Sequence, residues 1–312
     1  MFRFQLLKAL TLFAIVVGGV SVTAAKQPKA IPGIGPKGEI KKLHTDFKFT
    51  EGPAQDAEGN VYFSDIPNEK ILKTDLAGKL TTFREKSNFA NGLMVNAKGE
   101  VVACEMNGAI VALSPDGKDR RVITDKYDGK RYNAPNDLVL DKAGGVYFTD
   151  PQFRAPTPLP QGKTCVYYVD AGSKVTRLIE DLPNPNGVRL SPDEKTLYVF
   201  PTGQKQQMSY PIEGPGKIGK GKMFCELEQA KADGNSGGDG GTIDEKGNVY
   251  IAAITGLQVF DKDGKLLGTI VFPEQPSNAT FGGKDMKTLF VTARTSLYTC
   301  QMEVAGHRYP GK

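Results

Sequence analysis

Six oxygen-bearing residues recur at one register along this chain: Glu51, Asn91, Asn136, Asn186, Asp239 and Asn278. They sit second in "TEGPAQDAEGNVYFSD", "ANGLMVNAKGEVVACE", "PNDLVLDKAGGVYFTD", "PNGVRLSPDEKTLYVF", "GDGGTIDEKGNVYIAA" and "SNATFGGKDMKTLFVT". None of the six offers sulfur or imidazole. Two carboxylates can neutralise a divalent cation, and neutral amides can complete its shell. That donor set suits Ca2+, with Mg2+, Mn2+ and Zn2+ as alternatives. Asn and Asp also cap local backbone at turns, so each residue taken singly fits either reading. The shared register of all six favours a common site. Gly52, Gly92, Gly187 and Gly240 directly follow the recurring residue, where a missing Cβ lets backbones approach closely.

Each stretch reads as a short strand, a polar turn and a second strand. The interval to the aligned second-strand residue is 11 positions in units one, two, three and five, as from Glu51 to Tyr62. It is 12 in units four and six, where the turn is one residue longer, as from Asn186 to Tyr198. Successive units start 40, 45, 50, 53 and 39 residues apart. That period, with room for two more strands per unit, predicts an all-β, six-bladed β-propeller. Turns such as Ala77-Gly78 and Asp263-Gly264 fit its hairpins. The sixth unit is one strand short after "TSLYTCQM", and "GEIKKLHTDFKFTEGP" (38–53) aligns without a gap to "GKLTTFREKSNFANGL" (78–93). Residues 39–45 are therefore expected to close blade six as its outer strand and remove an open sheet edge. A β-sandwich or two β domains would not explain the constant interval. In such a ring the first strand of each blade lines the axis, so the six residues converge there.

The 312 residues are 39% hydrophobic, enough for a large core. Residues 1–25 have a basic start, an apolar run from Ala9 to Val17 and small residues at Ala24-Ala25, which reads as a signal peptide. Export to the periplasm or medium is expected, with no membrane contact after cleavage. The remaining boundaries are a linker at 26–37, the propeller at 38–302 and a tail at 303–312. Net charge is +5, and losing Arg3 and Lys8 leaves +3. That balance, without a long basic run, gives no support for a nucleic-acid partner. Cys104, Cys165, Cys225 and Cys300 show no CxxC pairing and are expected to be mostly buried free thiols. With only His44 and His307, a Ser-His-Asp hydrolase or a His-ligated zinc site is poorly served. "GPGKIGK" (214–220) lacks the Ser or Thr and the strand–helix context of a P-loop. Oligomeric state is not legible.

The motifs "EGP" at Glu51, "GKRYNAPNDLV" (129–139), "GVYFTDP" (145–151), "NPNGVRLSPDEKTLYV" (184–199), "DGG" at Asp239 and "FGGKDMKTLFVTARTSLY" (281–298) jointly resemble the senescence marker protein (regucalcin)/gluconolactonase family, in particular its bacterial gluconolactonases. The resemblance spans about residues 38–302. It implies a six-bladed propeller that hydrolyses sugar lactones with a divalent metal. Carried over by position, Glu51, Asn186 and Asp239 match metal ligands. Asn136 matches a residue that ligates the metal, directly or through water, or touches substrate, and Asp239 doubles as base. Two departures stand out. Ala134 replaces the arginine of regucalcin-like members two residues before the motif Asn, with Arg131 nearby as a possible substitute. Met106 follows Cys104-Glu105 where relatives often carry a basic residue.

The implied chemistry is addition of water to a lactone carbonyl, with Asp239 as the base and Asp137 as the second candidate. Asn136, Asn91 and Arg131 are the candidate substrate contacts, and no organic cofactor is implied. Strand polarity puts "DPQFRAPTPLPQGK" (150–163), "PTGQKQQ" (201–207) and "EQAKADGNSGG" (228–238) on the ring's face as the substrate mouth, with Arg154 and Arg294 nearby. Two other functions fit the same architecture. One is a metal-dependent esterase or phosphotriesterase like the paraoxonase and diisopropylfluorophosphatase propellers. The other is a non-catalytic propeller stabilised by its ion.

Overall fold

Polar Asx-type turns punctuate the chain at the point where each inner strand reverses. Asp56 Oδ1 accepts from Asn60 N at 2.9 Å, Asn96 Oδ1 from Glu100 N at 3.0 Å, and Asp141 Oδ1 from Gly145 N at 2.8 Å. Asp244 repeats the pattern with Asn248 N at 2.9 Å. Each side chain mimics a backbone acceptor and forces the turn. The strands on either side are short, apolar and buried on both faces, as in Val61–Asp65 and Val249–Ala253.

The computed structural model describes residues 29–309. Among them, six antiparallel sheets each run from an inner to an outer strand. The inner strands are Thr50–Gln55, Ala90–Val95, Leu138–Leu140, Pro185–Leu190, Gly241–Ile243 and Pro276–Gly282. This is the six-bladed propeller expected from the repeat. Blade four carries one extra short strand, Lys217–Ile218. All four cysteines are buried free thiols. The expected signal segment lies outside the described residues.

Strand Lys37–His44 pairs antiparallel with Ser296–Gln301, with Lys42 opposite Tyr298 and His44 opposite Leu297. The ring thus closes with both ends of the chain, as expected. Glu274 clamps the closure: its carboxylate accepts from Ser296 Oγ at 2.5 Å, Tyr298 OH at 2.8 Å and Thr295 N at 3.0 Å, and pairs with Lys42 Nζ at 3.3 Å. Although burial acts against the charge, these donors hold the Glu274 carboxyl down at about 2. Its contribution is present above the unfolded pKa and lost as pH falls toward 2. We expect Glu274→Gln to lower stability by about 1.5–3 kcal/mol at pH 7, read from the urea midpoint. The difference from wild type should shrink below pH 4; an equal loss at every pH would contradict a charge-based clamp.

Two segments expected to be peripheral are integral. Within the expected linker, Ile31–Gly35 forms a hydrogen-bonded turn, and Ile31 and Ile34 are buried against blades five and six. The described part of the tail, to Tyr309, crosses the end of the channel opposite the ring. Gly306 N donates to Met286 O, His307 N to Ile243 O, and Tyr309 OH to Leu190 O at 3.2 Å.

Candidate metal centre at the channel mouth

The tier that carries the six recurring residues is stitched across every blade boundary. Ser64 Oγ donates to Asn91 O at 2.8 Å, Gly92 N to Asn136 O at 2.7 Å, and Thr149 Oγ1 to Asn186 O at 2.6 Å. Gly187 N then reaches Asp239 O at 3.1 Å, Gly240 N reaches Ser277 O at 2.8 Å, and Ser277 Oγ reaches Thr50 O at 2.7 Å. The glycines are required by this closeness. A Cβ on Gly52 would sit 1.9 Å from Asn91 O, and Gly52 also has φ +52°. The close inter-blade seams hold the ring side chains in place.

Glu51, Asn91, Asn136, Asn186 and Asn278 are buried in this tier, and Asp239 is half-buried beside them. Burial, then repulsion from Asp239, raise the Glu51 carboxyl well above its usual range. Burial pushes Asp239 up to about 7, partly offset by its bonds to Glu51 and Asn186. Two buried carboxyls this close cannot both stay ionised without a counter-charge. Asn186 Nδ2 donates to Thr202 Oγ1 at 3.0 Å, which fixes its amide beside Asp239. Asn91 Oδ1 is a buried acceptor with no hydrogen-bond partner. Unpartnered buried acceptors are rare and expensive. The carboxyl pair and this orphan oxygen fit a hard divalent cation. No cluster of three or more His, Cys, Asp and Glu gathers among the described residues, so the other oxygen donors at the ring are amides.

Asn278 departs from its counterparts. Its Oδ1 accepts from Ala279 N at 2.8 Å and Arg189 Nη2 at 3.2 Å, while Nδ2 donates to Glu51 Oε2 at 3.0 Å. It turns nitrogen, not oxygen, to the site and orients Glu51. Gly52 N donates to the same Glu51 oxygen at 2.6 Å.

Asp137 does face the axis, but it is tied. Its Oδ2 pairs with Arg189 Nη1 at 2.8 Å and Oδ1 accepts from Leu138 N at 2.8 Å. Burial raises its carboxyl, and Arg189 is the main opposing influence. A carboxylate locked to a buried guanidinium is a weak base for water, so Asp239 is the better placed of the two candidates. Arg189 itself was not among the expected residues. It also donates to Gly241 O and Val188 O, spanning the channel beneath the ring. A charged residue inside the apolar run "NGVRL" is the signal that could have found it.

The mouth loops lie where strand polarity put them. Asp150 opens the first and accepts from Asn133 N at 2.9 Å and Ala134 N at 2.8 Å, fixing the approach to Asn136. Burial raises this carboxyl to about 7. Thr202 Oγ1 bridges Asn186 to Gly238 O at 2.8 Å, linking the second and third loops to the ring. Arg131 is brought to the rim, but its Nε and Nη2 donate to Tyr132 O and Asn133 O at 2.9 and 3.1 Å. Those bonds fasten a loop and leave Arg131 a lesser candidate for substrate. A separate groove of about 450 Å3 between blades two and three is lined by turn residues such as Lys98 and Lys142 and contains no ring residue.

Residues 49–295 match the model of the SMP-30/gluconolactonase/LRE-like region. A gluconolactonase of Zymomonas mobilis is 31% identical over 294 residues, covering 86% of this chain and 82% of the relative. Lactonase drp35 of Staphylococcus epidermidis is 28% identical over 274 residues, covering 84% of this chain and 80% of the relative. The solved structure of the gluconolactonase XC5397 from Xanthomonas campestris superposes with a TM-score of 0.77 at 30% identity, covering 85% of this chain and 89% of that one.

Proposed function

Because the chain belongs to the SMP-30/gluconolactonase/LRE-like family, we propose that it hydrolyses lactones with a divalent cation, of the Ca2+ type, held at the channel mouth. The observation that carries this reading is the Glu51–Asp239 carboxyl pair, buried among amides with an orphan oxygen on Asn91. Glu51, Asn186 and Asp239 would hold the ion, with Asn136 at its side. When bound, the cation supplies Lewis-acid polarisation of the ester carbonyl and compensates the two carboxylates.

The chain's own residues supply the rest. Asn278 and Gly52 fix the Glu51 carboxylate. Thr202 orients Asn186. Asp239 takes a proton from the attacking water as its oxygen bonds to the lactone carbonyl carbon. The same proton passes to the ring oxygen as the acyl C–O bond breaks, giving the hydroxy acid. Asn136 offers its amide N–H to the oxygen that gains charge. Gluconolactone, which the relatives' names specify, is the reference substrate. Export belongs to the same proposal, on the strength of residues 1–25.

Proton linkage tests this reading. With Asp239 raised to about 7 in the metal-free protein, the ion must displace a proton at lower pH. Calcium affinity should fall about tenfold per pH unit below 7 for each proton displaced, and level off above it. The raised carboxyls also stabilise the metal-free fold below their unfolded pKa, and that contribution is lost as pH rises through 7. Calcium should therefore raise Tm more at pH 8 than at pH 5. A calcium-independent Tm, with gluconolactone hydrolysis unaffected by chelator, would contradict it.

A further inference from the structure

The mouth has two unlike sides. On the side of blades one to three, Ile66, Met106 and Ala134 are buried together, and Phe49, Phe89 and Phe153 pack on them while staying partly open. Every one of these residues sits in a segment that enters an inner strand or leaves a second strand, so all lie on the ring's face. Met106 reaches the ring itself, its Sδ 4.0 Å from Asn91 Nδ2. The rings are braced from above: the Arg154 guanidinium lies 3.7 Å from the Phe89 centroid, and that of Arg294 lies 5.9 Å from Phe49. On blades four and five the corresponding positions include Asn184, Thr202 and Gly237, joined by bonds from Thr202 N to Asn184 O and from Gly237 N to Thr202 O, with Ile254 the apolar exception.

We propose that the apolar wall of blades one to three is a substituent-binding subsite, so that the preferred substrate is a lactone bearing an alkyl or aryl group and not a polyhydroxylated one. This rests on the lactonase reading and names the substrate class for the same site. Sugar hydroxyls laid on the Phe rings would give up water and regain partners only where the Arg154 and Arg294 guanidiniums reach them. Ala134 and Met106 are both members of the cluster. Each methylene buried there favours binding by roughly fourfold. The carbonyl would lie over the ring, with the substituent directed toward Phe89 and Phe153.

The test compares δ-decalactone with glucono-δ-lactone, both six-membered esters, on the calcium-loaded full chain. We expect kcat/KM to favour decalactone by at least about tenfold, and the ratio to fall by a similar factor in Phe89→Ala and Phe153→Ala. A binding arm uses the metal-free protein and two lactams that are not hydrolysed. Calorimetry should show δ-decanolactam binding at least roughly tenfold more tightly than 2-piperidone. Preference for gluconolactone, with equal lactam affinities, would overturn the subsite and leave the lactonase reading standing. If neither lactone is hydrolysed, the lactonase reading fails, and the lactam comparison alone decides whether the wall binds apolar groups.

Discussion

Glu51→Gln is expected to abolish calcium binding and to lower kcat/KM on lactones by on the order of 10³-fold, while leaving the protein folded. The substitution keeps size and the potential hydrogen bonds from Gly52 and Asn278, but it removes one of the two charges that compensate a divalent ion. It also removes a carboxyl that burial raises well above its usual range. The metal-free variant should therefore be at least as stable as wild type above pH 7, because one fewer buried carboxyl must be kept protonated. Calorimetry, steady-state kinetics and chemical denaturation read these three effects separately. A variant that still binds calcium within a few-fold of wild type would remove Glu51 from the ligand set.

The second large effect is expected at Arg189. Its guanidinium is buried, pairs with Asp137 and donates to Asn278 and two backbone carbonyls. Arg189→Met leaves the Asp137 charge uncompensated in the channel and should cost about 3–5 kcal/mol of stability. Adding Asp137→Asn should recover a large part of that loss, since removing both members of a buried pair is much less costly than removing one. The single variant should also weaken calcium binding by about 10–100-fold, because Asn278 loses the donor that fixes its amide toward Glu51. Urea titrations of the two variants test the first claim and calorimetry the second. Equal stability of the single and double variants would show that the ion pair is not what Arg189 contributes.

Much of this architecture is written in the repeat. The 11- or 12-residue interval places one turn and two strands in each unit, and the six Asp, Glu and Asn residues fall on one tier because the blades are related by rotation. Blade closure was legible because residues 38–53 align without a gap to an internal segment. What escaped depends on side-chain partners and on broken alternation. An unbroken strand would turn Arg189 away from the face that carries Asn186, since an odd offset reverses the direction. The register irregularity between Pro185 and Gly187 flips that parity and brings both to the axis. Asn278 shares its register with the other amides, yet which atom it turns inward is set by Arg189, 89 residues away in sequence. The tail gave a weaker signal. Met302 and Val304 pack with Ile31 and Ile34 against blades five and six, and Tyr309 lies at the end of the channel, placements that only the closed ring explains. Arg131 also has partners that its charge and position did not announce: its Nε and Nη2 donate to the carbonyls of Tyr132 and Asn133.

The most direct test of the central claim is the initial rate of gluconolactone hydrolysis by the metal-stripped full chain as calcium is added back. The account predicts negligible rate above the spontaneous background without metal, rising to a plateau as one ion binds per chain, and no such rise in Glu51→Gln. An undiminished rate in the presence of excess chelator would contradict it.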